Sequence, residues 1–235
     1  MGWIAGADGC RTGWFRVARN RATGELRFDL IRDAAGLLAR PPQPELLALD
    51  IPIGLPSKGA RACDLAARRL LGKSRSSSVF PAPVRPALAA RSHLEASEIT
   101  RRVDGRGVSA QAWGLFPKIR AVDAWLREAS EARQRVREVH PELSFQVWNR
   151  GAPMSAPKKT SAGRRERHAL AAAWLGTGIL ERGRGAHRKA QAGDDDLLDA
   201  IAALWTAHRI AEGTAARLPE APQEDEAGLL MEIVY

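Results

Sequence analysis

Apolar residues in the first fifth of the chain come in short runs separated by turn-forming residues. Ile4 to Ala7 is such a run, closed by Asp8-Gly9, a dipeptide that signals a tight turn. Trp14 to Ala18 is rich in strand formers, and Leu26 to Leu30 alternates apolar and polar positions. Three strands joined by short turns predict a meander. A short helix through Ala34 to Leu38 leads to the proline-rich Pro41-Pro42-Gln43-Pro44. Leu46 to Ile51 is then almost wholly apolar, the pattern of a strand buried on both faces in the parallel centre of a sheet. From about 57 to 133 the pattern turns helical, with one helix over Arg61 to Leu71. A second lies within Ser109 to Ala132, where Ile119, Val122 and Leu126 recur at helical spacing. Val136 to His140 resumes strand character and stops at Pro141, and a basic loop from Pro157 to Arg165 opens a helix through Leu180. After a Gly/Arg-rich link, Asp194-Asp195-Asp196 starts a helix to about Ala211, its acids suited to the positive end of the helix dipole. Gly228 to Val234 reads as a short edge strand.

A meander followed by helix, buried strand, helices, strand and helices predicts an α/β chain of α+β pattern with a mixed sheet. A right-handed crossover places the Asp50 strand parallel to the first strand and beside it. Asp8 and Asp50 then fall toward the carboxyl ends of neighbouring strands, where open α/β sheets bind ligands. There is no internal repeat and no clean linker, so one domain is expected over 1–235, with 57–133 as a helical insertion between the fourth and fifth strands.

Composition narrows the class of protein. Lys and Arg number 36 against 27 Asp and Glu, a net charge of +9 that suits a nucleic-acid or phosphate binder. Only six of the 36 are Lys, so base-rich coding also accounts for an Arg-heavy chain. No apolar run approaches the roughly 18 residues of a membrane span. Met1 to Asp8 lacks the basic start and long apolar stretch of a signal peptide. Cys10 and Cys63 are too few for a disulfide framework or a metal knuckle. A soluble, cytoplasmic protein is expected.

The acids carry the chemistry. Asp50 ends an apolar strand, where a carboxylate faces a desolvation cost unless a cation or hydrogen-bond donors offset it. The alternative is a turn cap in Ile51-Pro52-Ile53-Gly54. Asp8 alone is equally a turn residue, but beside Asp50 it becomes half of a metal site. Asp196 and Asp199 lie three apart and share a helix face, and Asp199 falls among Leu197, Leu198, Ala200 and Ile201 where the apolar face belongs. Asp194 and Asp195 are N-cap and dipole partners in the plainer reading. Glu138, His140 and Glu142 alternate along the later strand, so they share one face, with His140 and Glu138 as candidates to position water. Divalent ions held by such carboxylates clamp the attacking water and leaving oxygen of a phosphodiester, and Mg²⁺ or Mn²⁺ suits oxygen ligands.

Two basic segments are candidate phosphate cradles. One is Lys158-Lys159-Thr160-Ser161 with Arg164, Arg165 and Arg167, set just before a helix; the other is Lys73, Arg75, Ser76, Ser77 and Ser78. Solvated loops are the plainer alternative for both. Trp3, Trp14, Trp125, Trp174 and Trp205 sit in apolar patterns, whereas Trp113 and Trp148 are freer to stack on a base.

Together these motifs resemble a known family. Gly6-Ala7-Asp8-Gly9-Cys10-Arg11-Thr12-Gly13-Trp14, Leu49-Asp50-Ile51-Pro52-Ile53-Gly54-Leu55-Pro56, Arg61-Ala62-Cys63-Asp64, Val79-Phe80-Pro81-Ala82-Pro83, Glu138-Val139-His140-Pro141-Glu142 and Asp195-Asp196-Leu197-Leu198-Asp199-Ala200 are similar to those of domain-of-unknown-function family 429. That family is described as predicted nucleases with a ribonuclease H-like fold. The resemblance implies a first-strand acid at Asp8, a fourth-strand acid at Asp50 and late-helix acids at Asp196 and Asp199. It implies metal at Asp8, Asp50 and Asp199, with Asp196 or Glu142 assisting and nucleic acid as partner. Glu142 has no counterpart in ribonuclease H itself, and Arg61, Cys63 and Asp64 belong to this family alone. Arg11 and Arg61 join the candidate phosphate contacts. Two alternatives stay open: a non-catalytic nucleic-acid-binding module, and a phosphotransfer protein, because Asp8 to Gly13 also resembles the first phosphate loop of actin-like ATPases.

Overall fold

The structure is a computed structural model that describes residues 2–186 and 191–235. The chain opens with β1 (Trp3–Cys10), β2 (Gly13–Asn20) and β3 (Leu26–Ile31), the expected meander. Asp8-Gly9 is not its first turn. Both residues stay in the ladder, Asp8 opposite Phe15 and Gly9 opposite Trp14, because β2 continues the pairing on one side. The chain reverses at Arg11-Thr12 instead. Helix α1 (Gly36–Ala39) and strand β4 (Pro44–Asp50) follow.

Next come α2 (Ala62–Arg75), α3 (His93–Asp104), α4 (Ala110–Glu128) and α5 (Ser130–Arg135). Strand β5 (Val136–Glu138) is shorter than its sequence suggests, and α6 (Pro141–Trp148) follows at once. Pro141 starts this helix rather than merely ending the strand: a proline at the first helical position lacks only an N–H that has no partner there anyway. Helix α7 (Ser161–Leu175) stops short of Leu180 because Gly176-Thr177-Gly178 interrupts it before α8 (Ile179–Arg184). Part of the Gly/Arg-rich link, 187–190, lies outside the described residues. Helix α9 (Asp194–Ala211), β6 (Arg217–Glu224) and β7 (Leu230–Val234) complete the chain. β6 escapes a pattern reading because Pro219 and Pro222 interrupt it, a composition tolerated in an edge strand. Among the described residues no helix is long and apolar enough to cross a membrane.

The chain divides into two compact units: 1–51, 134–216 and 234–235 form one, and 52–133 with 217–233 the other. The first unit holds a five-stranded mixed sheet of order β3-β2-β1-β4-β5, with β1, β4 and β5 parallel and β2 antiparallel to β1. Its core packs α9 against β1, with Ile4, Phe15, Val17, Leu197, Ile201 and Leu204 all buried. Arg16 on β2 is buried too, and tolerably so: it bonds Asp29 at 2.6 Å and donates to the carbonyl oxygens of Leu37 and Arg40.

In the second unit Ser92 caps α3 by accepting from Glu95 N–H, and Gly105 ends that helix in the left-handed region. Asp225, between β6 and β7, accepts from the backbone N–H of Leu55 and Leu229 and pairs with Arg85, which also holds Asp123 at 2.9 Å.

Candidate metal centre

Two carboxylates are placed by strand register alone. Parallel pairing of β1 with β4 sets Asp8 directly beside Asp50 at the strands' carboxyl ends. The third comes from α9, whose backbone lies almost against β1. The enabling residue is Gly6: a Cβ there would stand 2.0 Å from the Leu204 amide nitrogen and 2.4 Å from the Ala200 carbonyl oxygen. A helix seated that closely carries Asp199, 2% exposed, over the strand ends. One carboxylate oxygen from each of Asp8, Asp50 and Asp199 lies within 4.8 Å of the others.

Acids so close disturb the protonation of Asp8 and Asp50. Burial of the carboxyl group and then the neighbouring Asp199 charge push Asp50 up to about 8, from an ordinary value of 3.8. Burial, then Asp50, then Asp199 raise Asp8 well above the usual carboxylate range. Both residues keep part of their surface in solvent, so the shift reflects how protein surrounds the carboxyl heads. Gly9 N–H donates to Asp8 Oδ1 at 2.6 Å.

A cation reaches the cluster from elsewhere in the sequence. Lys158 Nζ stands 2.6 Å from Asp199 Oδ2, and the Asp199 charge raises the lysine's pKa. Its basic neighbours make Lys158 a candidate phosphate contact; in the fold its ammonium pairs with Asp199, drawn there by the clustered carboxylates. Its turn is firmly seated on α7. Thr160 accepts from Gly163 N–H at 3.0 Å and donates to the Pro157 carbonyl at 2.8 Å. Glu166 accepts from the N–H groups of Ser155 and Ala156, and Arg167 donates to the Ala156 carbonyl. A Cβ on Gly163 would lie 2.1 Å from the Pro157 oxygen, so only glycine admits this contact. Nothing local in the sequence joins Lys158 to Asp199; only the fold does.

The remaining acids have other surroundings. Asp196 accepts from Gly193 N–H at 2.8 Å, capping its own helix, so Gly193 rather than Asp194 is the N-cap. Burial, then Asp199, raises Asp195. Asp194 pairs with Arg184 at 2.7 Å. Glu142 does not extend strand β5. It lies in the first turn of α6, 6% exposed, with Oε1 2.6 Å from Arg167, so it does not share a strand face with Glu138. Glu138 pairs with Leu49 across β4 and β5, and its charge adds to the rise of Asp50. His140 is the N-cap residue of α6 without a side-chain cap bond.

Of the basic candidates in the first unit, Arg11, Lys159 and Arg165 are exposed, and Arg164 is half-buried with a bond to the Lys159 carbonyl. In the second unit Lys73 and Ser77 are exposed and Arg75 half-buried. Arg61 is no surface cation. It is 2% exposed, bonds Asp64 at 2.6 Å and donates to the Ile53 carbonyl at 2.9 Å, a buried pin for the start of α2. Trp148 is not free to receive a base either: it stacks on Phe145 and Trp205 and meets Trp174 edge-on.

The donor set fits a hard divalent cation, since three carboxylates supply oxygen ligands and their mutual repulsion favours a bound positive charge. No curated protein and no solved structure matches the chain. A family model does, that of the proteins of unknown function DUF429, over residues 6–224. The match runs from inside β1 to the end of β6 and takes in all three clustered aspartates, so the chain belongs to the DUF429 family.

Proposed function

We propose that this protein is a metal-dependent nuclease that hydrolyses phosphodiester bonds with Mg²⁺ or Mn²⁺ held by Asp8, Asp50 and Asp199. The observation that carries the reading is the convergence of three carboxylates from β1, β4 and α9 to within 4.8 Å. A first-strand acid beside a fourth-strand acid, facing one from a late helix, is also what the resemblance to ribonuclease H-like nucleases implies. Burying three like charges is costly, and a divalent ion offsets that cost better than protons do.

A bound ion supplies Lewis acidity and lowers the pKa of water, giving a nucleophile at neutral pH. The protein's part is placement. Asp8 and Asp50 are held rigidly by sheet register, and Asp199 by the contact of α9 with β1. Asp195 is half-buried beside them, its pKa raised by burial and then by the Asp199 charge. Asp196 and Glu142 are already engaged by Gly193 and Arg167, and therefore support the scaffold. Arg11, Lys159, Arg164 and Arg165 provide positive charge for a nucleic-acid backbone.

Purified protein with Mn²⁺ is expected to cleave at least one member of a panel of structured DNA and RNA substrates, and Asp8→Asn to lose that cleavage while remaining folded. Identical traces from the two proteins across the panel would remove the proposal. Salt-sensitive binding without cleavage, surviving loss of Asp8 and Asp50, would favour a non-catalytic binding module instead.

A further inference from the structure

Lys158 supplies the cluster with positive charge before any metal arrives. Its ammonium touches the oxygen of Asp199, and it acts electrostatically on Asp50 and Asp8 as well. A divalent ion entering among the same three carboxylates competes with that ammonium for one carboxylate and repels it at short range. The two differ in what holds them. An ion bound by three carboxylates gains from all of them, whereas the ammonium is anchored by one hydrogen bond and tethered by a flexible four-carbon stem. The side chain is also 41% exposed, so a path to solvent is open. The backbone beneath it has no such freedom, being fixed to α7 through Thr160, Glu166 and Arg167. Only the side chain needs to move.

We propose that Lys158 is a displaceable counter-ion: it closes on Asp199 in the metal-free protein, and a divalent ion expels it, freeing its ammonium for a phosphate oxygen of the substrate. Metal loading and substrate binding are coupled as a result, because the residue that leaves the ion site joins Lys159 on the same anchored turn. The inference rests on the reading that Asp8, Asp50 and Asp199 take a metal.

Lysine acylation read by peptide mass spectrometry tests it, with Mn²⁺ binding followed in parallel by calorimetry. Lys159, exposed and adjacent, serves as the internal reference. In EDTA, Lys158 should be modified much more slowly than Lys159. Saturating Mn²⁺ should raise the Lys158-to-Lys159 ratio several-fold, and Asp8→Asn should abolish that rise together with the Mn²⁺ binding heat. An unchanged ratio despite a clear binding heat means the ammonium stays in place, which overturns this inference and leaves the metal site standing. Equal modification of both lysines in EDTA overturns it as well, since the ion pair would then be absent in solution. No binding heat at all removes the metal reading and the exchange with it.

Discussion

Asp50 offers the sharpest test of the cluster's electrostatics, because it makes metal-free protein less stable as pH rises. A carboxyl whose folded pKa is raised holds its proton more tightly in the folded chain than in the unfolded one. Its penalty is absent below the unfolded pKa and complete above the folded one. With Asp50 at about 8 when folded and 3.8 ordinarily, stability declines across that whole window. The decline is at most about 1.4 kcal/mol per pH unit, so roughly 5 to 6 kcal/mol across the window is a ceiling. Between about pH 5.5 and pH 8, wild type should lose up to roughly 3 kcal/mol relative to Asp50→Asn, or about 6–12 °C in Tm. Urea or thermal denaturation in EDTA at several pH values, wild type beside Asp50→Asn, measures this. Comparing the two removes the contributions of titrating groups outside the cluster, His208 among them, whose pKa burial lowers, and leaves Asp50 together with what its charge does to Asp8. Mn²⁺ at about 100 times its Kd should then return about 2.7 kcal/mol to wild type at the alkaline end. Parallel pH profiles for the two proteins would refute the reasoning, as would a wild type that gains on the variant with rising pH.

Two further outcomes follow from packing and pairing. Gly6→Ala drives a methyl into the α9 backbone; a cost of about 1–3 kcal/mol or more is expected, with a marked loss of Mn²⁺ affinity, measured by thermal denaturation and calorimetry. Unchanged Mn²⁺ affinity in a folded variant would show that the α9 contact does not place Asp199. Arg167→Met strands the buried Glu142 carboxylate and should cost about 3–5 kcal/mol in urea denaturation, most of it recovered when Glu142→Gln is added. A single variant as stable as wild type would mean that the pair is not what keeps Glu142 buried.

Much of the site was legible because local rules governed it. An apolar strand ending in an acid marks Asp50 without knowledge of its neighbours, and the helical pattern of α9 places Asp199 on its apolar face. The crossover rule then brings Asp8 and Asp50 together, as the register does. Elsewhere local signals misled. Asp8-Gly9 reads as a turn, yet β2 pairs with both residues and β4 with Asp8, which keeps them in the sheet. Glu142 reads as the end of a strand, yet Pro141 opens a helix and Arg167 claims the carboxylate.

By itself the sequence determined most of the strands and helices and marked Asp50 and Asp199, because hydrophobic periodicity and the cost of burying charge act over a few neighbouring residues. Tertiary structure decided which charges meet. Arg61 with Asp64 is a contact between near neighbours, but only burial turned it from a surface cation into a pin. Lys158 with Asp199 spans 41 residues, and depends on Gly6 admitting α9 to β1 and Gly163 admitting the lysine's turn to α7. Such pairs form because folding removes water from between distant segments, and that free energy belongs to the assembled contact rather than to either stretch of chain.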